Sequence, residues 1–546
     1  MLQHRAVDET STSTGGGAPA VSQGNAVNGL TVLVAACSII YELVFSQALT
    51  VLFGQTVARY SLTIGLYLFS LGLGAFLYAK ARSGGVKKRF YAVEVTLAVV
   101  GPLGVLFIFA LNSLSGDFWT GTGGQRLLLI GSHLPVLVVG LLSGLELPLL
   151  AGLAPERDSA FYRVLGWDYI GSLVGTVFYA LWLYPRYGLI STALAIGFLN
   201  AVAAVTFYAV SFRHRLGLLV NAVGLGAYLL LLFNSHVISD TTSRIYVEAH
   251  VAKRFAGASA NIKKVTVLEH FNTRYQEAVK FEIEWTGGDT MQCLDLDSQL
   301  QMCTNWVEAY HHGLVDVPMA YLPDSQPMTV LLLGGGDYIP MHYLSQYAQI
   351  ERVDHIDLDP EFLAYARQDP LLRRYNHDAF NSPKLNTIIA DAMSYVRRTD
   401  QKYDLVLIDL PGLSHDKLLP LYSVEFLRGL RGRLKEGGLV ASWMYRESFR
   451  PRHVAIYLQT ALEAGFADVL RYDSIGRDDW GYYPQDRYVL MSPGHRPTMD
   501  PSRSAYMKAW GDSYAQLRWQ RTVRNEAIRI NSVFQPNLGM LVGLHP

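Results

Sequence analysis

A series of long apolar runs in the first half of the chain restricts its fold more than any other feature of the sequence. The runs lie near residues 29–49, 60–80, 91–111, 127–152, 165–184, 189–211 and 216–233. Each has about the 20 residues that a helix needs to cross the hydrocarbon core of a bilayer. We therefore predict an N-terminal α-helical transmembrane bundle of about seven spans over residues 27–235.

The composition agrees with a chain that is partly dissolved in lipid. Of the 546 residues, 50% are hydrophobic and 17% are charged, whereas soluble proteins carry about 25% charged residues. Basic and acidic residues balance at 46 each, which argues against a dominant basic surface and therefore against nucleic acid as a partner. We expect the bilayer to be a partner. Residues 1–26 are rich in Gly, Ser and Thr, which predicts a disordered tail rather than a signal peptide.

Basic residues in the short loops predict the orientation of the bundle in a bacterial-type inner membrane. Three basic residues fall in the odd-numbered loops: Arg59, Arg126 and Arg186. Nine fall in the loops after the second, fourth and sixth spans: Lys80, Arg82, Lys87, Lys88, Arg89, Arg157, Arg163, Arg213 and Arg215. The N-terminus is thus predicted in the cytosol, and seven spans place the C-terminal half on the far side.

Two groups of residues within and beyond these spans carry weaker signals. The carboxylates of Glu42, Glu94, Glu146 and Asp168 fall in or at the ends of the spans, where they either join helices or line a polar pocket. The three cysteines, Cys37, Cys293 and Cys303, lack a paired CxxC spacing. They are therefore interpreted as packing residues, with neither a disulfide framework nor a metal site.

The C-terminal half has the pattern of an α/β enzyme. Residues 240–320 contain alternating strand patterns, which predict a small antiparallel β-domain. Residues 321–495 contain continuous apolar strands that alternate with helices, as in a doubly wound, methyltransferase-like sheet. Residues 496–546 form an extension, in which we expect Trp510 and Trp519 to pack on the enzyme module.

Glycines and acids follow four of these strands. The first strand runs into Gly334, Gly336 and Asp337, and glycines there let the backbone approach a ligand closely. The second ends in Asp357 and Asp359, of which Asp357 is our choice for binding a ribose diol. The third and fourth end in Asp391 and Asp409. Acids around one crevice predict an adenosine-type ligand, while the missing GxGxxG and Walker spacings argue against dinucleotides and phosphoryl transfer.

The motifs over residues 265–450 resemble those of the spermidine synthase family of polyamine aminopropyltransferases. The matching segments, in family order, are TRYQEAVKF, LDLDSQLQ, EAYHH, GGGDY, HIDLDP, ADA and IDLPG. The whole chain resembles the bacterial membrane-fused branch of that family, in which a multi-span domain precedes the synthase module. The resemblance implies a transferase of polyamine biosynthesis that uses decarboxylated S-adenosylmethionine or S-adenosylmethionine itself, and no metal.

The resemblance also implies roles for individual residues. Asp409 is implied as the proton acceptor, and His311 and Asp337 are implied to face the transferred chain and the amine. The residues implied to hold the nucleoside and the sulfonium chain of the donor are Gln276, Gln301, Asp357 and Asp391, with Gly334, Gly336 and Ala392 in the same motifs. A carboxylate suits this chemistry because a protonated amine must lose a proton before its nitrogen can attack.

The acceptor half of the motif set has lost acids. Gly412 stands where the family has the second Asp of its Asp-x-x-Asp-Pro motif, and Trp306 begins the pair that replaces Asp-Glu. Tyr338 and Ser298 replace motif glycines, and His312 replaces a Glu. We expect an acceptor that is larger, more apolar or less cationic than putrescine, as a free small-molecule amine or a lipid-linked amine.

Alternatives remain at this stage. The adenosyl site alone does not decide which sulfur–carbon bond breaks, so methyl transfer, elimination and cyclisation stay open. The C-terminal half is alternatively a non-catalytic nucleoside-binding regulator of the membrane domain, and a homodimer is left open. Because the donor is made in the cytosol, we expect a cytoplasmic catalytic domain, although the loop charges with seven spans favour the opposite side. An uncounted re-entrant or eighth segment would reconcile the two, as would a donor delivered through the bundle.

Overall fold

A computed structural model describes residues 20–53, 57–80, 85–114, 122–154, 160–212, 214–254, 261–297, 299–322, 327–413, 416–448, 450–475 and 487–540. The chain forms two compact units. One is built from residues up to Ser239, and the other from Asp240 onwards together with two connecting segments, Leu49–Ser61 and Phe109–Leu128.

The first unit is helical, as its apolar runs predict. Its helices are α1 (Ala20–Phe53), α2 (Val57–Lys80), α3 (Val86–Leu114), α4 (Thr122–Leu153), α5 (Ala160–Phe178), α6 (Tyr184–Ser211) and α7 (Arg215–Phe233). Helix α1 already begins at Ala20, before the predicted start at residue 27, because the polar residues ahead of the apolar run extend the helix. Of the predicted tail, residues 1–19 lie outside the described residues.

Six helical segments in the described part of the chain are long and apolar enough to cross a membrane. The prediction of about seven spans differs by one because the segment Ala160–Ser211 contains two of the predicted spans. That segment has 52 residues, more than twice the length one span needs. It is interrupted by a π-helical turn at Tyr179–Leu183 and by Gly188, whose φ of 67° breaks the helical path.

The second unit starts with a helix rather than with strands, which corrects the predicted boundary of the small β-domain at residue 240. Helix α8 (Ser235–Arg254) comes first. A four-stranded antiparallel sheet follows, with strands in sequence order: β1 (Ile262–Asn272), β2 (Glu277–Trp285), β3 (Thr290–Leu296) and β4 (Gln299–Cys303).

A disulfide in this sheet corrects the interpretation of two cysteines as packing residues. Cys293 and Cys303 lie directly opposite each other on β3 and β4 and are joined by a disulfide. The spacing rule for CxxC motifs does not detect such a pair, because a hairpin brings residues ten apart in sequence into register. Cys37 is a free, buried cysteine, as a packing residue would be.

The larger sheet has eight strands in the order β12-β10-β11-β9-β8-β5-β6-β7. Its strands are β5 (Met328–Gly334), β6 (Ile350–Asp357), β7 (Leu385–Ile389), β8 (Tyr403–Asp409), β9 (Leu434–Met444), β10 (Asp468–Asp473), β11 (Arg487–Ser492) and β12 (Gln520–Arg521). Strands β5 to β9 are parallel, as predicted, whereas β10, β11 and β12 pair antiparallel.

Short helices connect and cover these strands. They are α9 (Val307–His311), α10 (Val317–Met319), α11 (Ile339–Ser345), α12 (Pro360–Ala366), α13 (Pro370–Asn376), α14 (Ala392–Arg398), α15 (Val424–Gly432), α16 (Pro451–Glu463) and α17 (Ala505–Tyr514). The strand order turns in opposite directions on the two sides of β5 and β8. A doubly wound sheet binds its ligand at the carboxyl ends of the strands at such a point.

The C-terminal extension belongs to the enzyme module rather than lying beyond it. Strand β12 pairs with β10 at the edge of the large sheet. Trp510 and Trp519 pack against the core of the module, which confirms that prediction, and the Trp519 indole donates to the Pro497 carbonyl at 2.9 Å.

Candidate active site

A cavity of about 510 Å³ lies at the carboxyl ends of β5, β6 and β8. Its wall also includes residues of the β1–β2 turn and of β4, from the small sheet. The structure places all of the predicted site residues on this one wall: Gln276, Gln301, His311, Gly334, Gly336, Asp337, Asp357, Asp391, Ala392 and Asp409.

The glycine turn after β5 fits tightly between two strand ends. Gly334 and Gly335 have φ values of 76° and 70°, which favour glycine. The Gly335 amide donates to the Asp409 carbonyl at 3.0 Å, and a Cβ on Gly336 would lie 2.8 Å from Oδ2 of Asp357. Because these glycines have no side chains, their backbone lies close to Asp357 and Asp409, and a ligand can approach the backbone at this turn.

Asp357 and Asp359 have separate tasks, although both follow β6. Asp359 is buried and caps α12 through Oδ1, while its Oδ2 accepts from the Thr273 hydroxyl at 2.6 Å and from Nε2 of Gln276 at 3.0 Å. Asp357 accepts from the Asp359 amide at 2.8 Å and lines the cavity. Burial raises the pKa of Asp357 to about 6. Gln276 therefore ties the small sheet to the strand end that carries the candidate ribose ligand.

Asp337 and Asp409 form the most strongly perturbed pair in the cavity. Burial raises the pKa of both carboxyls above the usual range, and for Asp337 the repulsion from Asp409 adds to it. The Tyr310 hydroxyl donates to Oδ1 of Asp409 at 2.6 Å and stabilises its ionised form. Two acids that repel each other in a buried cavity favour a cationic ligand between them.

Tyr310 is a functional candidate that the sequence interpretation missed. It lies in the EAYHH segment, from which only His311 was chosen. Its contact with Asp409 joins positions 99 residues apart, so no local pattern could have revealed it.

His311 faces the cavity as a neutral ring. Its Nδ1 is 2.6 Å from the Val307 carbonyl and donates to it, and Nε2 has no partner among the described residues. Burial lowers the pKa of His311 to about 3. The ring can therefore accept a hydrogen bond through Nε2, and it brings no positive charge next to a cationic substrate.

Two predicted residues, Asp391 and Gln301, and one that was not predicted, Lys417, also line the cavity. Asp391 is exposed at the cavity edge and caps α14 by accepting from the Ser394 amide at 2.8 Å. Gln301 donates to the Gln299 carbonyl at 3.1 Å. Lys417 brings a cation to the rim, 3.1 Å from Oδ2 of Asp297.

Tyr338 is the predicted departure next to the glycine turn that the structure describes. Tyr338 adopts φ 62°, a left-handed conformation that favours glycine, with its side chain fully buried. Its hydroxyl accepts from Nε and Nη2 of Arg367 at 3.1 and 2.9 Å, which helps to hold this conformation. Ser298 lies outside the described residues.

A second cavity of about 320 Å³ adjoins the first. The two share Gln299, Gln301, Tyr310 and Leu410. The remaining wall consists of His250, Leu300, Trp306, Gly412, Trp443 and Tyr445. The cavity therefore lies at the position from which the motif acid is missing.

The chain is similar to known proteins over most of its length. Residues 307–472 match the model of the spermine/spermidine synthase domain. The chain is 30% identical over 474 residues to polyamine aminopropyltransferase 1 of Streptomyces coelicolor, covering 85% of this chain and 82% of the relative. The chain belongs to the polyamine aminopropyltransferase family. It is accordingly a transferase, as the motif resemblance implies.

Similarity to a further relative extends beyond the matched domain. Polyamine aminopropyltransferase 1 of Ralstonia nicotianae is 27% identical over 496 residues, which is 88% of this chain and 87% of that protein. Among solved structures, spermidine synthase from Thermotoga maritima is 20% identical and covers 48% of this chain and 81% of its own, with a TM-score of 0.36.

Proposed function

We propose that this aminopropyltransferase is embedded in a membrane and transfers the three-carbon amine chain of decarboxylated S-adenosylmethionine to an amine whose binding pocket differs from a putrescine pocket. One observation carries the proposal: Asp337, Asp357 and Asp409 line one cavity with a glycine turn at the switch point of the sheet. Family membership indicates the class of reaction, and the residues that line the cavity are the candidate binding and catalytic groups.

The donor fits the residues present. Asp357 follows β6, where a carboxylate can accept both hydrogens of a ribose diol, and the Gly336 backbone lies against it without a side chain. The sulfonium centre and the chain amine are both cationic, which suits the acidic pair of Asp337 and Asp409. Asp391 and Ala392 lie on the part of the wall that follows β7. These two residues are therefore the candidates for binding the adenine.

The reaction then needs one proton acceptor. The neutral nitrogen of the acceptor attacks the carbon next to the sulfonium, the new C–N bond forms as the C–S bond breaks, and the electron pair passes to sulfur. The products are an alkylated amine and neutral methylthioadenosine. Asp409 takes the proton that the acceptor loses, and the Tyr310 hydroxyl fixes the orientation of this carboxylate at 2.6 Å. Positioning and a negative field supply the remaining catalysis.

Product analysis tests this function. Purified full-length protein is incubated with decarboxylated S-adenosylmethionine and a set of amines, and mass spectrometry follows methylthioadenosine. We expect release that depends on the amine and that falls at least about 100-fold in Asp409→Asn. Adenosylhomocysteine formed from S-adenosylmethionine would indicate methyl transfer instead. Binding of methylthioadenosine with no turnover of either donor would favour a regulator.

We also infer that the N-terminal unit spans the membrane and that the catalytic unit lies outside the cytoplasm. Three observations support this orientation: the excess of basic residues in the even-numbered loops, the division of Ala160–Ser211 into two spans at Gly188, and the Cys293–Cys303 disulfide. Disulfides persist mainly in oxidising compartments. The donor must then reach the site from outside or through the bundle.

Paired reporter fusions after Pro546 test the orientation independently of the reaction. We expect alkaline phosphatase to be active and green fluorescent protein to be dark at this position. A fusion after Lys88, in the basic segment at the start of α3, serves as the matched control and should give the opposite pair of signals. Fluorescence after Pro546 would place the catalytic unit in the cytosol and contradict the inference.

A further inference from the structure

The second cavity is lined by aromatic rings on several sides. Trp306 and Tyr310 come from the segment around α9, with ring centroids 6.0 Å apart. Trp443 and Tyr445 come from the end of β9, with centroids 4.5 Å apart and planes at 68°. Tyr310 lines both cavities, and its hydroxyl donates to Asp409 on the wall of the first, so the second cavity adjoins the candidate proton acceptor through this residue.

Tyr445 takes the space of the side chain that is missing at Gly412. A Cβ on Gly412 would lie 2.5 Å from the Tyr445 hydroxyl oxygen and 3.5 Å from Cη2 of Trp443. The first distance is too short for any real contact, so an acid at residue 412 and this placement of Tyr445 exclude each other. Burial raises the pKa of Tyr445 to about 12, so its hydroxyl stays neutral at physiological pH.

The charge of the cavity wall argues against a second ammonium group. Within the described part of the chain, the wall of the second cavity carries polar groups from His250, Gln299 and Gln301 but no Asp or Glu. A charged group that is buried without an ion partner costs several kcal/mol, and contacts with ring faces return only about 0.5–2 kcal/mol of it. An alkyl or aryl group loses no such hydration and packs well against four rings.

We propose that the acceptor is a primary monoamine with an apolar or aryl tail, its nitrogen beside Asp409 and its tail among Trp306, Tyr310, Trp443 and Tyr445. This inference rests on the proposed function. The nitrogen of the monoamine gains the three-carbon amine chain, the C–S bond breaks, sulfur keeps the electron pair, and Asp409 takes the released proton. The product is an N-substituted 1,3-diaminopropane.

A matched pair of acceptors tests the proposal. n-Pentylamine and 1,4-diaminobutane have the same chain length, but a methyl group replaces the distal ammonium in the first. With decarboxylated S-adenosylmethionine and full-length protein, we expect kcat/KM to be at least tenfold higher for n-pentylamine, and 2-phenylethylamine to be used as well. Equal or better use of 1,4-diaminobutane would overturn this inference while the transferase function stands. Failure of every amine to release methylthioadenosine would instead refute the proposed function.

Variants of the cavity give a second readout. Gly412→Asp combined with Tyr445→Ala supplies an acid and the space for it, and we expect the preference to move at least tenfold towards 1,4-diaminobutane. Tyr445→Ala alone is the matched control and should not gain the diamine. Trp443→Leu, a single change that covers the case in which the double variant does not fold, should raise KM for n-pentylamine at least fivefold more than it raises KM for 1,4-diaminobutane. An unchanged preference in the folded double variant, or an equal change of both KM values in Trp443→Leu, would overturn the proposal.

Discussion

The hydrogen bond from Tyr310 to Asp409 makes a prediction that can be tested through pH. Asp409 must be ionised to take a proton from the acceptor, so the rate falls at low pH as this carboxyl becomes protonated. Burial raises its pKa, and the Tyr310 hydroxyl, 2.6 Å from Oδ1, opposes that increase. In Tyr310→Phe only the burial contribution remains, so we expect the pKa of Asp409 to rise further.

The size of this effect follows from the strength of the bond. A hydrogen bond to a charged group contributes about 1.5–3 kcal/mol, and one pKa unit corresponds to about 1.4 kcal/mol. The acidic limb of the kcat/KM profile in Tyr310→Phe should therefore lie about 1–2 pH units higher than in the parent. Because Asp337 repels Asp409, the limb describes the pair, but its direction of movement is the same.

The assay is methylthioadenosine release between pH 5 and 10 at saturating donor. Tyr365→Phe is the matched control, because its hydroxyl also donates to a carboxylate, Glu269 at 2.7 Å, but it does not line the cavity. The control should keep the parental limb. A Tyr310→Phe profile that is lowered equally at all pH values, or whose limb moves to lower pH, would refute the assignment of Asp409 as the proton acceptor.

Further predictions concern the donor side and the small sheet. Gly336→Ala should raise the donor KM at least tenfold, because its Cβ would lie 2.8 Å from Oδ2 of Asp357; an unchanged KM would count against the ribose assignment. The folded-state pKa of Asp357 is raised to about 6, so its contribution to stability is present at low pH and is lost as pH rises through about 6. The loss amounts to up to about 3 kcal/mol of unfolding free energy. Chemical unfolding between pH 4 and 8 should show this decrease in the parent and not in Asp357→Asn. Asp391→Asn keeps the cap of α14 and should weaken only donor binding, whereas Asp391→Ala should also cost about 1 kcal/mol of stability. Removing the disulfide with Cys293→Ser and Cys303→Ser should destabilise the protein by about 3 kcal/mol, measured by denaturant unfolding, with a reduced parent as the comparison.

The parallel strands and the residues at their ends could be predicted from sequence because both follow local patterns. A buried parallel strand is a continuous apolar run, and the glycines and acids after it necessarily meet at one edge, which is why the ten predicted site residues lie on one wall. Long-range contacts could not be predicted in this way. The Tyr310–Asp409 bond, the approach of Tyr445 to Gly412 and the cross-strand disulfide each depend on how separate elements fold together.

One predicted boundary differs from the structure. The small β-domain is predicted to begin at residue 240, where the apolar spans stop, but the helix α8 continues to Arg254 before the first strand. The contacts of the C-terminal residues with the module could not be predicted, because they join residues far apart in sequence.

Asn531 links the C-terminal tail to the order in which the cavity forms during synthesis. Its side-chain amide donates to the carbonyls of Leu419 and Tyr422, at 2.7 and 3.1 Å, and so holds the segment that supplies Lys417, Leu418, Pro420 and Leu421 to the donor cavity. More than a hundred residues separate the two ends of these bonds. A nascent chain that has already made every strand-end acid therefore still lacks a fixed cavity wall, and donor binding should begin only when residue 531 has left the ribosome and folded back.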